Sequence, residues 1–401
     1  MEINKPTLIL ELNEQNFIFL VIEYNESLSF KVLENLSVPT QGFDNNKIID
    51  INLVSRVILN GVEKIEKKIN YIFKKISIIL DQDEFNCINI SGFKKLNGSQ
   101  LQNEDVSYIL NNLKSVVLEN EPKKTLIHIF NSKYLLDGNV LNNLPIGLHG
   151  DFYQHQLSLF LFPKNDLKNL KLVFNKCNLN IEKVIFKKFA EGVHHINKDK
   201  LNETFLKINI KCKKISINYF NKSSLIYSEV FNFGSDIIVK DIMKVCALPE
   251  HIVRKILKEI FFSREFLDKK KNSFLEEKYF QSGFFRKISL SLIDEVISSR
   301  VSEIISLIYK KNINVISFKN NIKIIYISIE DTGIVKNMGE YFKNNFPEDL
   351  SLQLLQEIEK DHLNMCLAAA RLLGKGWEKE AIPIVQTKKS LVSKIFSSFF
   401  E

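Results

Sequence analysis

With 401 residues, 45% of them hydrophobic, the chain is too long for one ordinary domain and can fill two to four cores. Its net charge is +8, but the lysines are spread out and the longest run is residues 269–271, which argues against a nucleic-acid stripe and for solvated faces. Five widely spaced cysteines exclude a CxxC metal site or a disulfide frame and fit a reducing cytoplasm, and no apolar run approaches the roughly 18 residues that span a bilayer.

Met1-Glu2 leads straight towards a strand, with no basic-then-apolar stretch, so no secretion signal is expected. From Leu8, LILELNEQNFIFLVIEYNESLSFKVLENLSV reads as three strands split by Asn-Glu turns, an antiparallel meander. Ile48, Ile51, Val54, Val57, Ile58, Val62, Ile65 and Ile69 recur three and four apart, which predicts a helix over 48–71. Strands follow at 76–80 and 85–90, the second ending at Ser91-Gly92. A smaller unit then begins with a helix at Asn103-Glu104-Asp105, its acidic residues placed to complement the dipole, and continues with strands at 126–130 and 157–162. A helix over 166–177 and a strand over 183–186 return to the first unit.

The stretch 205–241 repeats the opening rhythm. Ile208, Ile210, Ile215, Ile217 and Tyr219 alternate with polar residues, the period of a half-buried strand. The junction between them, Lys211-Cys212-Lys213-Lys214, holds none of the Gly, Asn or Asp that a tight hairpin favours. Helices over 241–262 and 287–310, a strand over 322–328, and helices over 335–346 and 364–373 complete the pattern. A strand triple, a helix, an insertion and a second strand triple amount to an approximate internal duplication, so the fold class is α/β with two similar halves and mixed sheets.

The final stretch, KKSLVSKIFSSFFE over 388–401, places Leu391, Val392, Ile395, Phe396, Phe399 and Phe400 on one helical face, with Lys389 and Lys394 among the residues on the other. Residues 374–387, with Gly374, Gly376 and Pro383, read as a tether. A Phe-rich, basic helix behind a tether suits an interfacial membrane helix, while a last helix docked on the body is the plainer alternative.

Several short pieces, in order along nearly the whole chain, carry a further signal: Gly42-Phe43-Asp44, Ser91-Gly92, Glu104-Asp105-Val106, His128-Ile129-Phe130, Pro145-Ile146-Gly147-Leu148-His149-Gly150, and Ile297-Ser298-Ser299-Arg300. Their order and spacing resemble the FtsA family of bacterial actin-like cell-division proteins. The resemblance implies an actin-like (ribonuclease H-like, duplicated) two-lobed fold with an FtsA-type inserted subdomain and a carboxyl-terminal amphipathic helix. The expected boundaries are 1–85 and 164–204 for the first lobe, 86–163 for the insertion, 205–242 and 313–373 for the second lobe core, 243–312 for its outer part, 374–387 for the linker and 388–401 for the membrane helix.

The family binds ATP with magnesium, and its motifs are degenerate here. The second phosphate loop falls on Asn209-Ile210-Lys211-Cys212-Lys213-Lys214, without the glycines that let backbone amides approach phosphate closely. Glu11 keeps the carboxylate of the first loop, which then continues as Asn13-Glu14. The adenosine loop is Ser328-Ile329-Glu330-Asp331-Thr332-Gly333, and the acidic and basic positions of the helix before it are Arg254 and Leu257. No cofactor and no catalysis are therefore expected; Lys211, Lys213 and Lys214 either bind an anion by charge alone or form a solvated turn. The resemblance further implies the carboxyl-terminal tail of FtsZ as a partner, with Arg300 as candidate contact against the alternative of a surface ion pair. It also implies self-association into polymers, later divisome membrane proteins as partners, and a peripheral place on the cytoplasmic face of the inner membrane at the division site. An ATP-dependent actin-like protein, or an actin-like inner-membrane component of a pilus or secretion assembly, is the competing reading. His149, His155, His194 and His195 lack metal-ligand spacing and read as surface or turn residues, and Trp377 in the tether reads equally as incidental or as a second membrane contact.

Overall fold

A computed structural model describes residues 4–82, 85–199, 204–221, 224–260, 262, 273–280, 286–330, 339, 341–342, 344–346, 350–355 and 363–376. In chain order its main elements are β1 (Pro6–Leu12), β2 (Asn16–Tyr24), β3 (Phe30–Pro39), β4 (Phe43–Asp44), β5 (Lys47–Ile48), α1 (Ile51–Ile69), β6 (Lys75–Leu80), β7 (Asn86–Lys95), α2 (Asn103–Asn120), β8 (Lys124–Leu136), β9 (Asn139–Leu141), β10 (Phe152–Pro163), α3 (Lys164–Lys176), β11 (Asn180–Phe186) and α4 (Lys187–Asp199). They continue with β12 (Phe205–Ile210), β13 (Ile215–Asn221), β14 (Ser224–Phe231), α5 (Asp236–Cys246), α6 (Glu250–Glu259), α7 (Leu290–Ile305), α8 (Ile313–Phe318), β15 (Ile324–Ile329), β16 (Ser351–Leu355) and α9 (Asn364–Lys375). The chain divides into two units, residues 1–202, 223–227 and 361–401 in one and residues 203–222 and 228–360 in the other.

The first unit is built on a sheet of order β11-β6-β1-β2-β3, in which β1, β2 and β3 are antiparallel neighbours and β6 and β11 run parallel to β1. Helix α1 starts where Asp50 caps it, its carboxylate accepting from the amides of Asn52 and Leu53 at 2.8 and 3.0 Å. It ends at Asn70, which takes the left-handed conformation that asparagine tolerates. Val54, Val57, Ile58, Val62 and Ile65 are buried, the stripe that the spacing predicts.

Between β6 and α3 the chain makes a separate sheet of order β7-β10-β8-β9, all antiparallel. Helix α2 covers one of its faces, and Ile109, Leu113 and Val117 join Ile129, Leu157 and Leu159 in its core. Gly92 makes this closure possible, since a Cβ there would fall 2.6 Å from the Cγ2 of Ile109.

Helix α9, expected with the second half of the chain, belongs to the first unit. It packs on α4, β1 and β2; Ala368, Ala369 and Ala370 are fully buried, and the Tyr24 hydroxyl donates to the carbonyl of Ala370 at 2.6 Å. A face of small residues lets a helix lie close to a sheet, which the apolar periodicity alone does not assign to a partner.

In the second unit the sheet order is β14-β13-β12-β15-β16, with β12 antiparallel to β13 and β15 and β16 parallel to β12. This is the order of the first sheet repeated, so the duplication read from the sequence is a duplication of topology. Helix α5 runs through residue 242, where a boundary was expected. The helix expected over 241–262 is two helices, because Ala247 adopts a left-handed φ of 46° and Pro249 precedes α6. Helix α7 starts at Leu290, capped by Ser289, and passes into a π-helical turn over Ser306–Lys310.

Residues 388–401 with their amphipathic face, Trp377, Lys269 to Lys271, residues 331–333 of the expected adenosine loop and half of the helix expected over 335–346 lie outside the described residues. So does the tether beyond Gly376.

Candidate functional site

In open α/β sheets, chemistry gathers at the carboxyl ends of parallel strands. In the first unit those ends belong to β1, β6 and β11, and they carry Glu11, Asp81 and Lys187. The Lys187 ammonium lies 3.0 Å from Glu11 Oε1 and 3.6 Å from Asp81 Oδ2. Glu11 is 2% exposed, and its other oxygen, Oε2, has no hydrogen-bond partner. Burial alone would lower the pKa of Lys187, but Glu11, Asp81 and Glu191 outweigh it and hold the group well above the ordinary lysine value. Glu11, expected as a candidate position, is thus found in a buried ion pair. Lys187 was missed, because nothing in the local sequence marks a strand-end lysine as the partner of a carboxylate so far away in the chain. Beyond Glu11 the chain turns at Asn13, whose Oδ1 accepts from the amide of Gln15 at 3.0 Å, and Glu14 is exposed.

In the second unit the corresponding junction is the turn 211–214. The Lys211 amide donates to the Lys214 carbonyl at 2.9 Å, and none of these four residues takes a positive φ. Instead the turn leans on the start of α5: the amides of Ser235 and Asp236 donate to the carbonyls of Lys211 and Cys212 at 3.0 and 2.9 Å. Two of the amides at a helix start, which lack partners within the helix, are satisfied by the turn. Gly234 permits the contact, since a Cβ on it would lie 2.2 Å from the Lys211 carbonyl oxygen. The glycine that this region requires is thus Gly234, beneath the turn and not within it.

Nearby groups reinforce the arrangement. Asn209 is buried, and its Oδ1 accepts from the Ser328 hydroxyl; the Glu330 amide donates to the Ile210 carbonyl at 2.9 Å. Lys211 Nζ stands 3.9 Å from Glu330 Oε2, with both side chains partly exposed, a pair worth under about 1 kcal/mol. Arg254 donates to Asp236 at 2.5 Å and to Glu250 at 2.9 Å, fastening α6 to the start of α5, and Leu257 is fully buried.

Arg300, on α7, pairs with Asp241 of α5 and with Glu303 one turn on, and these partners raise its pKa further. The histidines divide. His149 sits in a turn with Nδ1 2.8 Å from the Gly98 carbonyl, whereas His155 and His195, expected at the surface or in turns, are buried in β10 and α4. His155 Nε2 lies 2.8 Å from Asn131 Oδ1, between the rings of Tyr134 and Tyr153, and burial pushes its pKa down to about 4. Among the described residues no three His, Cys, Asp or Glu side chains are placed to hold a metal ion.

No family model matches the chain. The cell division protein FtsA of Buchnera aphidicola subsp. Acyrthosiphon pisum (strain APS) is 23% identical over 300 residues, covering 75% of this chain and 71% of that protein. FtsA of Escherichia coli (strain K12) is 20% identical over 213 residues, 53% of this chain and 50% of that one. The chain is a distant relative of FtsA. A solved structure of the PilM-PilN type IV pilus biogenesis complex matches with a TM-score of 0.53 at 9% identity, covering 93% of this chain and 98% of that one, a likeness of fold alone. The fold is actin-like, as the FtsA resemblance implies.

The two junctions expected as phosphate loops differ in kind. The first carries a carboxylate with a lysine of the same chain against it. The second joins two strands, its carbonyls accept from the start of a helix, and residues 211–214 include no glycine.

Proposed function

We propose that this chain is a non-catalytic adaptor of bacterial cell division that works without ATP. It joins FtsZ filaments to the cytoplasmic face of the inner membrane at the division site and recruits later division proteins. The similarity to FtsA over 300 residues carries the cell-division reading. The nucleotide-free reading draws support from the glycine-free turn 211–214 and from Lys187, whose ammonium lies against the carboxylate of the first loop. A phosphate cradle needs backbone amides that approach an anion closely, and each of residues 211–214 carries a Cβ where a glycine would leave that approach open.

Two weak contacts make the link. One is α7, where Arg300 meets the acidic, apolar tail of FtsZ. The other is the stretch 388–401, whose Leu391, Val392, Ile395, Phe396, Phe399 and Phe400 enter the lipid while Lys389 and Lys394 face anionic headgroups. Partial burial of six apolar side chains at about 25 cal/mol per Å² yields several kcal/mol, and each lysine near the surface adds roughly 1 kcal/mol. One such helix holds reversibly; self-association into a polymer multiplies the contacts without creating a new one.

Co-sedimentation of the full chain with anionic liposomes, against a chain ending at Thr387, tests the membrane contact: the full chain pellets and the shorter one stays in solution. Equal pelleting would end that claim. The PilM-PilN likeness favours a second reading, an actin-like component of a pilus or secretion assembly. Binding of a labelled FtsZ tail peptide separates the two, since only the division adaptor is expected to take it.

A further inference from the structure

The sheet β7-β10-β8-β9 has two faces, and α2 covers only one of them. On the other face the strand register brings Phe93, Gln154, Leu135 and Val140 into one row across all four strands, a row about 14 Å wide. Phe152 lies diagonally from Phe93, and the two rings stack at 5.4 Å. Further along the same face Phe130 packs on Phe189 at 4.6 Å and Phe160 on Phe85 at 5.8 Å, so that part is covered. The row is not covered: Phe93 is 64% exposed, Val140 59% and Phe152 38%. Aromatic rings stacked on each other in water, in line with aliphatic side chains, form a contiguous patch and not the scattered single hydrophobes of an ordinary surface.

The charges around the patch limit what fits it. Lys95 stands across the strands from Phe152, and Lys133 across from Gln156 in the adjacent row; both lysines are exposed. The carboxylate at this corner, Asp137, is engaged by the amides of Asp151 and Phe152, which donate to it at 2.9 and 2.7 Å. An isologous pair of chains would set lysine against lysine, and the chain's own stretch 388–401 brings Lys388, Lys389 and Lys394 against a single Glu401. The face therefore calls for an acidic occupant. Strands pair at sheet edges, so what lies on a face is a helix, and α2 shows the geometry by laying Ile109, Leu113 and Val117 on the opposite side.

We propose that this face docks an amphipathic helix of another protein, whose apolar stripe covers Phe93, Phe152, Leu135 and Val140 and whose flanking carboxylates meet Lys95 and Lys133. The site goes beyond the adaptor reading. It uses neither Arg300 nor residues 388–401, and it holds or fails independently of them.

Two synthetic helical peptides test it on the full chain by fluorescence anisotropy, both with the same leucine and phenylalanine stripe, one flanked by glutamates and the other by lysines. The wild type should bind the glutamate peptide about tenfold or more tighter than the lysine peptide. Phe93→Ser/Phe152→Ser should weaken that binding by about tenfold, and Lys95→Glu/Lys133→Glu should reverse the preference between the peptides. Lys310→Glu/Lys311→Glu, an equal charge change at exposed lysines of α7's π-helical end and the residue after it, and Arg300→Ala should both behave as wild type. A wild type without preference, a Phe93→Ser/Phe152→Ser variant that binds as wild type, or either control acting like the Lys95→Glu/Lys133→Glu variant overturns the proposal. So does a wild-type dimer that the phenylalanine variant abolishes, which would make the face a contact between copies. Phosphatidylglycerol vesicles bound through the same four residues would make it a lipid contact and overturn the proposal as well.

Discussion

Gly234 and His155 show how single positions set limits on this molecule. Any side chain at 234 meets backbone and cannot be relieved by a rotamer change, because the Lys211 carbonyl oxygen lies 2.2 Å from the Cβ position. Gly234→Ala should therefore cost roughly 2–3 kcal/mol, read as a lower urea midpoint with an unchanged m-value. His155 links stability to pH. Its folded pKa, about 4, lies below the ordinary 6.5, so the unfolded chain binds the proton first as the pH falls. The stability due to a neutral His155 is complete above about pH 6.5, declines as pH falls through the window down to about 4, and is lost below it. His155→Gln should flatten that part of the stability-pH curve, as followed by denaturant titrations at several pH values. Neither role was legible in the sequence: His155 carries no local mark of burial beyond its place in an alternating strand, and Gly234 is a requirement imposed by residues 211 and 212, far from it in the chain.

At the scale of elements, what the sequence conveyed was periodic structure, and what it withheld was pairing between distant segments. The stripe over 48–71 became α1, shortened at each end by the Asp50 cap and the left-handed Asn70. The break at Ala247 was signalled by Pro249, yet the apolar pattern carried across it and predicted one helix. Arg300 was read either as a partner contact or as a surface ion pair, and its partner Asp241 is supplied by a different helix. That pair makes a prediction about α7. If the tail peptide takes Arg300, it competes with Asp241, so Asp241→Asn should tighten peptide binding a few-fold and Arg300→Ala should weaken it by about tenfold or more. Fluorescence anisotropy of a labelled tail peptide reads both, and an Arg300→Ala variant that binds as wild type removes α7 from the interface. The turn 211–214 yields a second prediction. Placing glycines at 211–214 leaves the carbonyls held by Ser235 and Asp236, so such a variant should lose stability without gaining ATP binding, as checked by unfolding and by labelled nucleotide.

For the whole molecule, the repeated strand order β3-β2-β1-β6-β11 and β14-β13-β12-β15-β16 is the deepest regularity. It was legible because each half opens with the same strand triple. The assignment of α9 was not, since a helix read by periodicity announces an apolar face and not the sheet that will receive it. That assignment bears on mechanics. Helix α9 (Asn364–Lys375) is the last element among the described residues, so a pull applied at Gly376 acts on this helix. The pull acts first on the end of α9 furthest along the chain, and the buried alanines and the Tyr24 bond to Ala370 must hold it against peeling. Arg300 belongs to the other unit. Under such a load the first turn to yield is expected in α9: Tyr24→Phe should lower the rupture force in single-molecule pulling on the tail while leaving bulk Tm nearly unchanged.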